Sequence, residues 1–222
     1  MGSKNIVTSI CAAFVLFAAG CSCEDEFGEF LDILIPIESS PAQTTFTVGD
    51  TISYRAGFST DAMVDNSSST ISIAGFDLFT AFGIQEISSP DTVDFGRPVQ
   101  IIQRIGEVGQ FGGAQPLYPL RFEERDDSIM IDFGVVVLEP GLYSTGFNFL
   151  IAEPEDIDHP LARQCGDGPR RNLVKLFYIN PSTDRAAYDS LYLSSLNPDI
   201  QRLGTWDRYR LTGSTTFRVL PE

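Results

Sequence analysis

A chain of 222 residues with 43% hydrophobic and 11% aromatic side chains can bury a substantial core, which excludes an intrinsically disordered coil. The charge is lopsided, with 30 Asp and Glu against 15 Lys and Arg and a net charge of −15. Nucleic acid is thereby excluded as a partner, because a phosphate backbone is bound by clustered cations that release its counterions, and anionic membrane surfaces are disfavoured on the same ground.

In chain order, residues 6–20 (IVTSICAAFVLFAAG) follow Lys4 as an almost unbroken apolar run. The run has the make-up of a secretory h-region and is too short to span about 30 Å of hydrocarbon at about 1.5 Å per helical residue. At Ala18-Ala19-Gly20-Cys21 the sequence resembles the lipobox of bacterial lipoproteins, with Ala18 standing where that family usually has Leu. The resemblance implies that residues 1–20 are a signal peptide and that Cys21 is lipidated and anchored to the outer membrane; an ordinary signal peptide cleaved nearby is the other reading. Several acyl chains give stable anchoring where one binds only marginally. Residues 22–30 (SCEDEFGEF) place Glu24, Asp25, Glu26 and Glu29 directly after that cysteine. They look like the export tag of Bacteroidota surface lipoproteins, and equally read as a solvated acidic tether.

Residues 31–222 read as a single domain. Residues 31–37 (LDILIPI) suit an edge strand, where Pro36 is tolerated because the missing N–H needs no partner. Between 45 and 58 the even positions Phe46, Val48, Ile52, Tyr54, Ala56 and Phe58 are apolar on either side of Gly49-Asp50, which predicts a short strand, a corner and a longer strand. Residues 61–70 form a polar loop, 71–87 hold one or two strands broken by Gly75 and Gly83, and 99–105 a further short strand. The strongest signal is 128–151, two apolar strands around Glu139-Pro140-Gly141 whose odd positions, Ile129 to Val137 and Tyr143 to Ile151, face a core. It reads as a central β-hairpin. Two polar excursions, 106–119 and 153–171, exceed ordinary connection lengths and are where specificity is expected. After a strand at 173–179, Ser182 or Thr183 is expected to cap one short inserted helix that ends at Asn197-Pro198, and 215–220 closes the sheet with Phe217 and Val219 inward.

The Val48-Gly49-Asp50-Thr51 corner looks like the opening of the second strand of immunoglobulin-like domains, and Glu139-x-Gly141-x-Tyr143 is similar to their tyrosine corner. The resemblance implies an all-β, immunoglobulin-like Greek-key sandwich in which the Tyr143 hydroxyl bonds back across the turn. Thr145 occupies the place of the strand's usual cysteine, so the inter-sheet disulfide is absent.

The chemistry-bearing residues are sparse. His159 is the one histidine. A small hydrolase built on it with Asp156, Asp158 or Cys165 is the rival function class, but no nucleophile signature accompanies it. Glu153, Glu155, Asp156, Asp158 and Asp167 would offer hard oxygen ligands to calcium, yet their spacing matches no EF-hand and an ordinary solvated loop is the better reading; no metal or cofactor is expected. Export through an oxidising compartment would permit a Cys23–Cys165 disulfide, with free thiols the alternative. Ligand contacts are expected from Phe111, Gln115 and Tyr118 in the Gly-rich stretch and from Trp206 beside Arg208 and Arg210, since amphipathic rings are enriched at interfaces. For each ring, packing against the sandwich is the better reading. The expected function is therefore non-enzymatic binding of a glycan, peptide or envelope protein at the cell surface. That fits the likeness to surface lipoproteins accompanying outer-membrane nutrient uptake; a purely structural envelope role is the third class.

Overall fold

The computed structural model describes residues 31–63, 70–88, 99–109, 117–148, 150–154, 162–165, 168–171, 174–197 and 204–222. Two sheets face each other across one aromatic core. The five-stranded sheet holds β2 (Glu38–Ser40), β4 (Thr51–Ser59), β13 (Ser128–Val137), β12 (Glu123–Arg125) and β9 (Val99–Ile105), with β9 and β12 both paired to β13 on the side away from β4. The six-stranded sheet runs β10 (Glu107–Val108), β11 (Leu117–Arg121), β8 (Phe79–Glu86), β14 (Gly141–Phe147), β19 (Thr215–Leu220) and β3 (Thr45–Thr47). The N-terminal stretch divides itself between them: β2 lies antiparallel to β4, and β3 lies parallel to β19. This is an all-β, immunoglobulin-like sandwich.

A four-stranded sheet at the flank is ordered β1 (Leu31–Pro36), β18 (Val174–Ile179), β15 (Leu150–Pro154) and β7 (Phe76–Asp77). Strand β1 is an edge strand as its proline requires, and alternation puts Ile33, Ile35 and Ile37 in the core. Two small hairpins, β5 (Asp61–Met63) with β6 (Thr70–Ser72) and β16 (Ala162–Cys165) with β17 (Gly168–Arg171), complete the strands.

The expected hairpin at 128–151 is an arch instead. Strand β13 belongs to the five-stranded sheet and β14 to the six-stranded one, so the Glu139-Pro140-Gly141 corner carries the chain across the core. Alternation was read correctly: Ile129, Ile131, Phe133, Val135, Val137, Tyr143 and Phe147 are all buried. It reports which face is covered, and an arch turns the same faces toward each other as two facing sheets demand. The Tyr143 hydroxyl donates to the Glu139 carbonyl at 3.0 Å, the tyrosine-corner bond, with its ring buried against Phe217. Tyr143→Phe is expected to cost about 1 to 3 kcal/mol in urea unfolding; an unchanged midpoint would mean the corner is held by Pro140 and packing alone.

The two long excursions are shorter than expected. Residues 106–119 contribute β10 and the first residues of β11, paired as Glu107↔Arg121 and Val108↔Leu120, while 110–116 lie outside the described residues. Residues 153–171 include the end of β15 and the β16–β17 hairpin. The helix before the last strand is present as α1 (Arg185–Ala187) continuing into a π-helical turn (Tyr188–Tyr192). Its cap is Asp184, whose carboxylate accepts from Ala186 N at 2.8 Å, and not Ser182 or Thr183. Thr183 is diverted to the Ser214 carbonyl at 2.9 Å. A second short helix, α2 (Trp206–Leu211), is capped by Thr205, which accepts from Arg208 N at 3.3 Å.

Candidate functional site

Cys21, Cys23, Phe111, Gln115 and His159 lie outside the described residues, and with them the lipid anchor, the disulfide, the hydrolase alternative and most of the acidic loop. Cys165 ends β16, opposite Gly168. Among the described residues no three His, Cys, Asp or Glu side chains stand close enough to hold a metal ion. The described candidates, Tyr118 and Trp206, belong to different regions.

Tyr118 is a strand residue and not a loop residue. It sits on β11 opposite Phe82, half-buried, with the two ring centroids 6.5 Å apart. Burial raises its phenol above the ordinary range. Packing therefore accounts for most of this ring. A groove of about 400 Å³ with a mixed lining runs between Val99, Gln100, Ile101 and Gln103 of β9 and Val108 of β10 with Gly109 after it. Its far wall is fixed by two bonds: Val108 N donates to Gln103 Oε1 at 3.2 Å, and Gly109 N to the Pro119 carbonyl at 2.8 Å.

Trp206 lies in the helical insertion, which is bolted to the sandwich by polar side chains. Asn180 Nδ2 donates to Ser39 Oγ at 3.0 Å, and Asn180 Oδ1 accepts from Ser182 N at 2.8 Å. Ser195 Oγ donates to the Ile87 carbonyl at 2.7 Å, and Tyr188 OH to the Gly204 carbonyl at 2.8 Å, joining the two helical pieces. Tyr209 OH shares a 2.9 Å hydrogen bond with Thr216 of β19; burial pushes its phenol far up. On this base Tyr188, Tyr192, Trp206 and Tyr209 form one ring cluster, with centroid separations from 4.8 Å (Tyr192–Tyr209) to 6.0 Å (Trp206–Tyr209). The Arg185 guanidinium lies 4.8 Å from the Trp206 ring centre and 5.2 Å from that of Tyr188, and is paired with Asp189 at 3.0 Å. Such cation–π contacts contribute about 0.5 to 1 kcal/mol when exposed.

The indole is thus half-buried and contacted by Arg185, Tyr188 and Tyr209. Elsewhere on the insertion Leu193 is 46% and Leu196 58% exposed, and Arg208 and Arg210 are exposed on α2. The sequence reading missed Tyr188, Tyr192 and the two leucines. The TWDRYRL run, with a Thr cap and an early Asp, signals the second helix, whose Trp206 and Tyr209 pack on Tyr188 and Tyr192.

No family model matches the chain. No curated protein matches it either. Solved structures to which it is similar include the type II cohesin dyad from the adaptor ScaA scaffoldin of Acetivibrio cellulolyticus, 11% identical over 67% of this chain and 46% of that chain, with a TM-score of 0.29. The second type II cohesin module of that scaffoldin is 13% identical over 66% of this chain and 92% of that chain, at 0.28. The CupB6 tip adhesin from Pseudomonas aeruginosa is 11% identical over 66% and 42%, at 0.21. The chain spans about half the length of the cohesin dyad. Matches this shallow assign nothing to the chain, and the sandwich stands on its own strand pairing and core.

Proposed function

We propose that the chain is an exported binding protein, anchored in the outer membrane through lipid at Cys21, whose helical insertion docks a protein partner. The observation that carries this reading is the exposure of Leu193 and Leu196 on the insertion that also holds the tyrosine, tryptophan and arginine cluster. Protein interfaces are enriched in such residues, and their strongest contributions come from Trp, Tyr and Arg. A glycan fits less well, since Arg185 already lies over one face of the Trp206 ring.

Position supports the same reading. Strand β1 runs parallel to β18, so the tether enters beside Val174 while the insertion leaves after Ile179, beside Pro36. The two ends are separated by about 16 Å at roughly 3.3 Å per residue. The tether itself spans at most roughly 35 Å. A domain held this way presents the insertion away from its point of attachment. Surface exposure through Glu24, Asp25, Glu26 and Glu29, and a supporting role in nutrient uptake across the outer membrane, complete the reading. Among the described residues no helix is long and apolar enough to cross a membrane.

The test has two arms. Cys21→Ser should move the protein from the membrane to the soluble fraction, and an unlipidated Cys21 peptide in the membrane-bound protein would refute the anchor. A photo-crosslinking amino acid at Leu196 should give one discrete adduct in living cells, lost when Leu193→Asp is added, while the same group at exposed Arg55 gives none. Equal adducts from both positions, or none from Leu196, would refute the docking surface.

A further inference from the structure

We propose a second docking site, independent of the helical insertion: the outer edge of β9 accepts an extended peptide segment from a partner protein as an added strand. Strand β9 pairs with β13 on one side, and among the described residues no strand pairs with the other. Sheet edges are ordinarily blunted by short strands, proline or charge. Here β10, β3, β12 and β2 are two or three residues long, and β1 ends in Pro36. Strand β9 is the exception, with seven residues reading VQIIQRI, no proline and no carboxylate. Its one charge is neutralised, because Arg104 Nη1 bonds Asp132 Oδ1 at 2.7 Å.

The groove of about 400 Å³ runs along this edge. Its lining is mixed and uncharged: Val99, Ile101 and Val108 pack against the core from half-buried positions, and Gln100 and Gln103 supply polar side chains between them. An added strand would place alternate side chains into it while its main chain bonds to β9, the division of labour by which strand addition gives affinity and specificity. Charge selects the occupant. Past Ile105 the same edge continues as β12 and the turn after it, where Glu123, Glu124, Asp126 and Asp127 outnumber Arg125, and Arg125 is itself bound to Glu123 at 2.6 Å. The matching segment is apolar at every second residue, free of Asp and Glu, and carries Lys or Arg at the end beside β12. A second copy of this chain matches poorly, because each copy brings a net charge of −15.

The probe is a synthetic peptide of alternating Val and Thr with Lys at both ends, titrated against the full chain in detergent. Hydrogen exchange should slow in residues 99–105 on binding, and replacing the terminal Lys by Asp should weaken binding. In a ladder only alternate residues of the added strand turn their N–H groups toward the edge. N-methylation of the Val set or of the Thr set should therefore abolish binding while the other is tolerated, with each blocked bond worth up to about tenfold in affinity. Equal effects of the two methylated peptides, protection confined to other segments, or indifference to the end charges would overturn the proposal. Self-association of the chain that the peptide competes away would also overturn it, by giving the edge to a second copy.

Discussion

Tyr54→Ala is expected to lower the unfolding free energy by about 3 to 5 kcal/mol, the range for emptying a buried aromatic site. Tyr54 is fully buried on β4 and packs on Phe82 at 5.0 Å, Phe133 at 5.4 Å and Phe147 at 6.1 Å, so its ring touches both sheets. Its hydroxyl shares hydrogen bonds with Thr145 Oγ1 at 3.0 Å and Thr215 Oγ1 at 3.2 Å, and these two threonines are 2.7 Å apart. Tyr54 belongs to the five-stranded sheet, Thr145 and Thr215 to the six-stranded sheet. The hydroxyl triad thus crosses the core at Thr145, where a disulfide would cross in antibody-type domains. Burial raises the Tyr54 phenol and the two threonine contacts offset only part of that, so the group stays neutral and able to donate. Tyr54→Phe separates ring from hydroxyl and should cost about 1 kcal/mol, because Thr145 and Thr215 retain their mutual bond. Urea unfolding at constant slope measures both. With about 5 to 15 kcal/mol of total stability typical of a domain, the alanine variant should be visibly less stable at ambient temperature. A loss equal to that of Tyr54→Phe would show that the core closes over the missing ring.

The physical content of the sequence explains which parts of this fold were legible. Period-two alternation located β19 to the residue, because half-buried strands write their inward face into every second position. It could not say which strand pairs with which. The arch at Glu139-Pro140-Gly141 has the turn chemistry of a hairpin, and only the pairing of β13 with β4 and of β14 with β8 and β19 tells them apart. The tyrosine corner was legible because one motif fixes both the burial of Tyr143 and its bond to Glu139. Site residues were less so. Tyr118 and Trp206 were singled out for composition, and composition does not distinguish a ring facing solvent from one facing Phe82 or Tyr209. Neither the open edge of β9 nor the exposed Leu193 and Leu196 could be read locally, since each depends on what long-range packing leaves uncovered.

Gly106→Ala is expected to lose about 2 to 5 kcal/mol, more than the same change at any other described turn glycine that lacks neighbours around it. Gly106 joins β9 of one sheet to β10 of the other, with φ of 76° in the left-handed region. A side chain there is strained by backbone alone, by about 1 to 2 kcal/mol. Space adds a second cost: a Cβ would stand 2.6 Å from the Arg121 carbonyl oxygen and 3.3 Å from Ile131 Cγ1, and the first of these is backbone in the paired strand β11. Gly49 and Gly75 supply the control, with φ of 90° and 72° and nothing within 4 Å of the built Cβ. Alanine at either should show the backbone cost only. If all three variants unfold at the same urea concentration, the corner gives way without penalty and the close approach is not a constraint. If Gly106→Ala is the outlier and still folds, relief of the clash must move β10 and β11 away from β9, which widens the groove between Val99 and Val108. Peptide binding at that edge should then weaken in proportion, while crosslinking from Leu196 stays as it was.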